Sequence, residues 1–186
     1  MTDSERYHHL EYLSPLGSLW GAITPEGKLA ALYFDTLPAA LLRRKDEITA
    51  ASALTAQALT NQLTEYFQGK RQRFTLPLMP GGTSFQQRIW GAIGHVKYGE
   101  VSTYARLAAE AGSPRAFQSA GTATGKNPIS IIIPCHRILP DSLFHKQQKH
   151  PGSLSKAGNY AGGVERKHYL LQLEGVLAPT VPELPF

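Results

Sequence analysis

This chain of 186 residues contains a single cysteine, a scarcity that excludes an internal disulfide and any cysteine-rich zinc site. Its one thiol, Cys135, is left as either a small buried hydrophobe or a nucleophile. No apolar run approaches the ~20 residues that a membrane span needs. The opening "MTDSERYHHLEY" carries neither an apolar signal core nor an Arg-rich amphipathic pattern. A soluble, cytoplasmic protein without a membrane partner is expected. Charged residues are few, at 18%, but the 42% of hydrophobic side chains can build a full core in one large domain or two small ones. The net charge of +5 is missing from the first half: residues 1–83 balance eight Lys and Arg against eight Asp and Glu, whereas residues 84–175 hold eleven against five. That asymmetry suits a polyanion, nucleic acid first, or a merely solubilising surface.

The first half alternates as an antiparallel sheet does, with "SLWGAI" and "LAALYF" joined by the turn "TPEGK". The stretch "LPAALLRRKDEITAASALTAQALTNQLTEYFQG" then has helical spacing, with Leu54, Leu59, Leu63 and Phe67 placed near one face and Gly69 as its stop. "RQRFTLPLMPGG" reads as a strand running into a linker, which puts a domain boundary at residues 80–83. Beyond it the pattern is mainly helical. Ser84 and Gln87 suggest a capping box ahead of an apolar stripe of Phe85, Ile89 and Ile93. A short helix in "VSTYARLAAEAG", capped at Ser102 or Thr103, stops at Gly112. A second, in "SPRAFQSAGTATG", has Ser113 as its cap and Pro114 in first position. Two short helices across a Gly-containing turn form a helix-turn-helix, or simply a packed pair. "LPDSLFHKQQKHPGSLSKAGN" reads as a long polar loop and "GGVERKHYLLQLEG" as the final helix. The fold class expected is α/β: an antiparallel-sheet-plus-helix domain over 1–83, then a mainly helical domain with a helix-turn-helix over 84–186.

Cys135 stands in "NPISIIIPCHRI", at the end of an isoleucine run that reads as a buried strand. A free thiol of pKa ~8.5 needs a base or a positive environment to become a thiolate near neutrality. His136 offers the base and Arg137 the positive charge. Adjacent residues of a strand point to opposite faces, so either the chain bends at Pro134 or a water bridges the two side chains.

Together "FQQRIW", "YGEVSTYARLA", "GTATGKNPISIIIPCHRI" and "NYAGGVERKHYLLQLEG", with "SPLGSLW" more faintly, resemble the O6-alkylguanine-DNA alkyltransferase family, in family order. The resemblance implies direct, stoichiometric transfer of an alkyl group from O6-alkylguanine in double-stranded DNA to Cys135, without cofactor or metal, after the base is flipped out. It implies His136 as base through a water, Glu174 as the carboxylate orienting the imidazole, Tyr104 as a hydroxyl neutralising the departing guanine, and Asn127 as a tie between the helix-turn-helix and the nucleophile. Pro128, Asn159, Tyr160 and Ala161 match the base-binding turn, and Ser113, Arg115, Gln118, Thr122, Lys126 and Arg137 are the expected DNA contacts. A monomer is expected.

The chain departs from the family in three places. Gln118 stands where most relatives carry an arginine that fills the space left by the flipped base, with Arg115, about one turn earlier on the same face, as the candidate cation. The segment between Arg137 and Asn159 is longer than usual, and its "HKQQKH" either reaches phosphates or is solvated. The cysteines of the structural zinc found in some relatives are absent. A lesion-binding protein without chemistry, an alkylation-sensing regulator and a Cys–His hydrolase are the rival readings; the first would carry tryptophan in place of Cys135.

Overall fold

In the computed structural model, which describes residues 6–43, 47–150 and 158–178, the chain opens with a strand the alternation of "SLWGAI" did not announce. β1 (His8–Ser14) pairs antiparallel with β2 (Gly17–Ile23), and β2 with β3 (Leu29–Phe34), giving the order β1-β2-β3. The expected hairpin is β2–β3, its reversal made by Gly27 at φ +80, where a Cβ would come within 2.8 Å of the Ala51 carbonyl oxygen.

A short helix α1 (Ala39–Leu42) leads to α2 (Ala50–Phe67), held at its start by a reciprocal Thr49–Ser52 capping box. Its inward face carries Ala56, Leu59, Leu63 and Tyr66. Leu54 is not on that face but 74% exposed, because it precedes Leu59 by five residues and so falls outside the i, i+4, i+8 row of Leu59, Leu63 and Phe67. The segment expected as a strand after α2 forms only one ladder bridge, Leu29↔Leu78, on the free edge of β3. Pro77 and Pro80 lack the N–H groups that a longer ladder would use.

α3 (Ser84–Gly94) begins one residue earlier than the sequence suggests: Thr83 is its cap, and Gln86, not Gln87, closes the box. Ile89 and Ile93 are fully buried beneath it. Thr103 ends the short strand β4 (Ser102–Thr103) and caps α4 (Tyr104–Glu110). α5 (Phe117–Gly125) packs against α3 and α4 and completes the helix-turn-helix. Ser113 is not its cap, nor Pro114 its first residue. The Ser113 carbonyl accepts from the Ala116 amide in a turn, and the helix starts at Phe117. Arg115 therefore lies in that turn rather than a helical turn before Gln118 on one face.

The isoleucine run is not a strand. Pro128 and Pro134 cannot donate to a ladder at either end, and between them the chain folds into turns, with Ile131 at φ +70. The free edge of β3 grips this turn. The Leu32 amide donates to the Pro128 carbonyl at 2.8 Å and the Ser130 amide to the Leu32 carbonyl at 2.8 Å. Ile129, Ile131 and Ile133 are buried in a core cluster that also holds Leu32 and Leu59 from the first half and Leu170 from the last helix.

β5 (Ile138–Leu139) pairs parallel with β4. The part of the long loop before residue 150 is a helix, α6 (Asp141–Lys149), which turns Phe144 and Gln147 inward and leaves its lysines outside. Gly158 returns to its foot, where a Cβ would meet Pro140 at 3.1 Å. α7 (Val164–Leu173) closes the described chain, as expected. The architecture is thus α/β, an N-terminal antiparallel sheet with its helix followed by a mainly helical part.

Candidate active site

Pro134 ends the isoleucine turn and Cys135–Arg137 make one turn of 3-10 helix. In such a turn successive side chains fan out by roughly 120° instead of alternating across a sheet. Cys135, His136 and Arg137 can therefore all face the interior, at 6%, 0% and 6% exposure.

Asn127 spans the turn from its other end. Its Nδ2 donates to the Ile133 carbonyl at 2.7 Å and to Cys135 Sγ at 3.0 Å, and its Oδ1 accepts from the Ile129 amide at 3.0 Å. A side-chain amide here does the work of the missing ladder, and it fixes the sulfur relative to the C-terminus of α5. His136 Nε2 meets Glu174 Oε1 at 2.8 Å, while Nδ1 makes no hydrogen bond within the protein. Arg137 grips the same carboxylate from the side, Nε to Oε2 at 2.8 Å and Nη2 to Oε1 at 3.0 Å, and its Nη1 donates to the Val96 carbonyl at 2.6 Å.

These contacts correct one expectation. Arg137 is not a DNA contact, because its guanidinium is buried and committed to Glu174 and Val96. Two residues that the sequence had not singled out join the cluster. Tyr66, from α2, donates its hydroxyl to Glu174 Oε1 at 2.7 Å. Lys167, fully buried on α7, donates Nζ to the Ile138 carbonyl at 2.7 Å and to the Asn159 carbonyl at 3.3 Å. A lysine at zero exposure is a signal that only burial reveals.

The protonation states follow from the surroundings. Burial pushes the Cys135 thiol up, against the opposing pull of the Asn127 hydrogen bond and the Lys167 charge. Burial also lowers His136, more than Glu174 raises it. The resting pair is a thiol beside a neutral imidazole. Burial alone would raise the Glu174 carboxyl, but hydrogen bonds and positive charge from His136 and Arg137 bring it to about 2; with the imidazole neutral, the lasting positive charge is Arg137's. Burial brings Lys167 down to about 8. Tyr104, first in α4, and Tyr160 are both raised by burial, to which any negative charge on Cys135 would add, and they keep their protons; the Tyr160 ring stands edge-on to His136 with centroids 6.5 Å apart.

Of the remaining residues singled out from the sequence, Pro128 is buried and its carbonyl is tied to β3. Asn159 and Ala161 are exposed on either side of Tyr160. Lys126, Asn127 and Ala161 line a cleft of about 320 Å³ with Asp35 and Arg166. Arg115, Gln118, Thr122 and Lys126 are exposed on α5 or its flanking turns, and Ser113 is half-buried.

The fold and site thus belong to a class in which a buried thiol, a histidine hydrogen-bonded to an ionised carboxylate and two tyrosines are packed with a helix-turn-helix. Comparison with known proteins narrows the class. Residues 84–176 match the DNA binding domain of 6-O-methylguanine DNA methyltransferase, and residues 7–80 match that family's ribonuclease-like domain. The methylated-DNA–protein-cysteine methyltransferase of Shigella flexneri is 34% identical over 171 residues, covering 88% of this chain and 93% of that one. That of Methanosarcina barkeri is 43% identical over 113 residues, covering 61% of this chain and 64% of that relative. The crystal structure of Mycobacterium tuberculosis OGT in complex with DNA superposes with a TM-score of 0.73 at 33% identity, covering 93% of this chain and 96% of that one. The chain belongs to the 6-O-methylguanine DNA methyltransferase family.

Proposed function

We propose that the protein repairs DNA by moving the alkyl group of O6-alkylguanine in duplex DNA onto Cys135, once per molecule. The observation that carries this is the line Cys135–His136–Glu174, buried and braced from three elements, immediately behind the helix-turn-helix. Because the sulfur is buried, a base inside a stacked duplex cannot reach it, and the nucleotide has to be extruded.

In the transfer step the thiol proton passes through one water to His136 Nδ1, the imidazole nitrogen left open by the protein. Sγ bonds to the alkyl carbon as that carbon's bond to O6 breaks. Tyr104 gives its proton to the departing guanine, and the imidazolium restores it through solvent. Glu174, held ionised by Arg137 and Tyr66, stabilises the imidazolium and keeps the ring's orientation. The product is a thioether, which has no good leaving group, so no step regenerates the thiol.

Residues 84–186 supply the nucleophile and the DNA contacts, and residues 1–83 act as a second domain that presses β3 against the nucleophile turn. One chain contains every residue of the line, which supports action as a monomer. A reaction that needs a free thiol suits the reducing cytoplasm. Incubation with a duplex containing O6-methylguanine, followed by intact mass measurement, tests the reading: one methyl should replace the Cys135 proton. Unmodified protein after lesion binding would instead assign a binding role without chemistry.

A further inference from the structure

Seven large apolar side chains are exposed among the described residues, and Phe117 alone of them lies on the second helix of the helix-turn-helix. Single exposed apolar residues are ordinary; the placement of this one is not. It is the first residue of α5 and is 52% exposed. Its neighbours Arg115, Gln118, Ser119 and Thr122 are polar and also exposed. About half of its surface is open to solvent, apolar area that a partner could cover.

Its direction follows from the helix. Phe117 and Gly121 are related as i and i+4 and share one face, and a Cβ on Gly121 would sit 3.8 Å from the Tyr104 ring. Phe117 thus stands one turn N-terminal of the point where α5 touches Tyr104, and helical side chains lean toward the N-terminus. Gln118, three residues before Gly121, stands on the other flank of the same side, so the two side chains bracket the contact with Tyr104. The half-exposed ring is therefore on the side of the helix that touches Tyr104.

Resting on the reading above, we propose that Phe117 is the wedge of this protein: its ring enters the base stack beside the extruded nucleotide and stacks where the flipped base had been, while Gln118 meets the polar edges left open. The partner is a base pair of any sequence, because every base offers a π face. Apolar wedges of this kind unstack base steps in proteins that kink DNA from the minor groove. A phenyl ring and a neutral amide together then do what a cation does elsewhere.

Single-turnover transfer from duplex O6-methylguanine, compared with transfer from free O6-benzylguanine, tests the proposal in Phe117→Ala, Phe117→Trp and Gln118→Ala. Phe117→Ala should slow the duplex reaction by about 10-fold or more, the scale of a lost base–aromatic stack. Its reaction with the free base, which needs no flipping, should stay within about two-fold of wild type. Phe117→Trp should keep the duplex rate, and Gln118→Ala should cost less than Phe117→Ala. A duplex rate for Phe117→Ala equal to wild type overturns the proposal, as does an equal loss on both substrates, which marks a structural role. A wild-type protein that takes no alkyl group from either substrate overturns the repair reading itself and the wedge with it.

Discussion

Tyr66 of α2 donates its hydroxyl to Glu174 at 2.7 Å, joining the first half of the chain to the carboxylate that holds His136 and Arg137 across 108 positions of sequence. The N-terminal part is therefore wired into the chemistry and does more than support it. Tyr66→Phe removes one of four hydrogen bonds to a buried carboxylate and leaves the ring's packing in place. A hydrogen bond to a charged group contributes about 1.5–3 kcal/mol. We expect the urea midpoint to fall accordingly and single-turnover transfer to slow by less than about 10-fold, since Arg137 still holds the carboxylate. An unchanged midpoint and an unchanged rate together would show that the contact does neither job.

Cys135→Ser should abolish methyl transfer, as read by intact mass, and preserve binding to undamaged duplex. An alcohol in this site is far harder to deprotonate than the thiol, and Cys135 is buried, away from the exposed face of the helix-turn-helix. Methyl appearing on another residue of the variant would contradict the assignment of the acceptor.

His136→Gln and Glu174→Gln separate base strength from bracing. General-base assistance is worth about 10² to 10⁴ in rate, and both variants should lose within that range. They should differ in stability. Glu174→Gln leaves the Arg137 guanidinium buried without a counter-charge, which costs about 3–5 kcal/mol, whereas His136→Gln removes a neutral ring. Equal melting temperatures for the two would mean that Arg137 finds another partner.

The parts of this site that the sequence made legible are those whose chemistry is local. Cys135, His136 and Arg137 are consecutive, and their types alone mark a thiol, a base and a cation, whereas Asn127, eight residues before the cysteine, was reached through its family block. Glu174 was reachable only through its family block, because a glutamate at a helix end has no periodicity to mark it. Tyr66 was invisible: its spacing in α2 is that of any core residue, and its role depends on where α7 ends. The isoleucine run was misread because apolar content does not separate a strand from a buried turn, and the two prolines were the discriminating signal. α6 was missed because only Phe144 and Gln147 face inward, too few for an apolar stripe. Arg137 was read both as a positive charge for the thiol and as a DNA contact, and a residue's type does not give the direction that separates the two.

Binding to duplex should weaken steeply with salt. Arg115 and Lys126 are exposed around α5 and are the charges expected to meet phosphates, in which case released counterions set the slope at about −0.9 per contact. Titrations between low and physiological salt read that slope directly. Affinity that ignores salt would leave Phe117 and Gln118 as the whole interface and refute the phosphate contacts.

Acid should destabilise the protein through Glu174 over a defined window. Its carboxyl titrates at about 2 in the fold against 4.5 for an unperturbed carboxyl, so the unfolded chain binds a proton first as pH falls. The stabilisation is complete above about pH 4.5 and is lost as pH drops toward about 2, because below both values each state is protonated. A depression of this size corresponds to on the order of 3 kcal/mol, a large part of a small protein's stability. The exposed Asp35, lowered by its Arg166 partner, titrates in the same acid range, but as a surface group it contributes little. Urea midpoints measured from pH 6 to pH 2 should therefore fall in wild type and fall less in Glu174→Gln, which starts lower and has no carboxyl to protonate. Parallel slopes for the two proteins would place the acid sensitivity elsewhere and remove the ionised Glu174 from the account of the site.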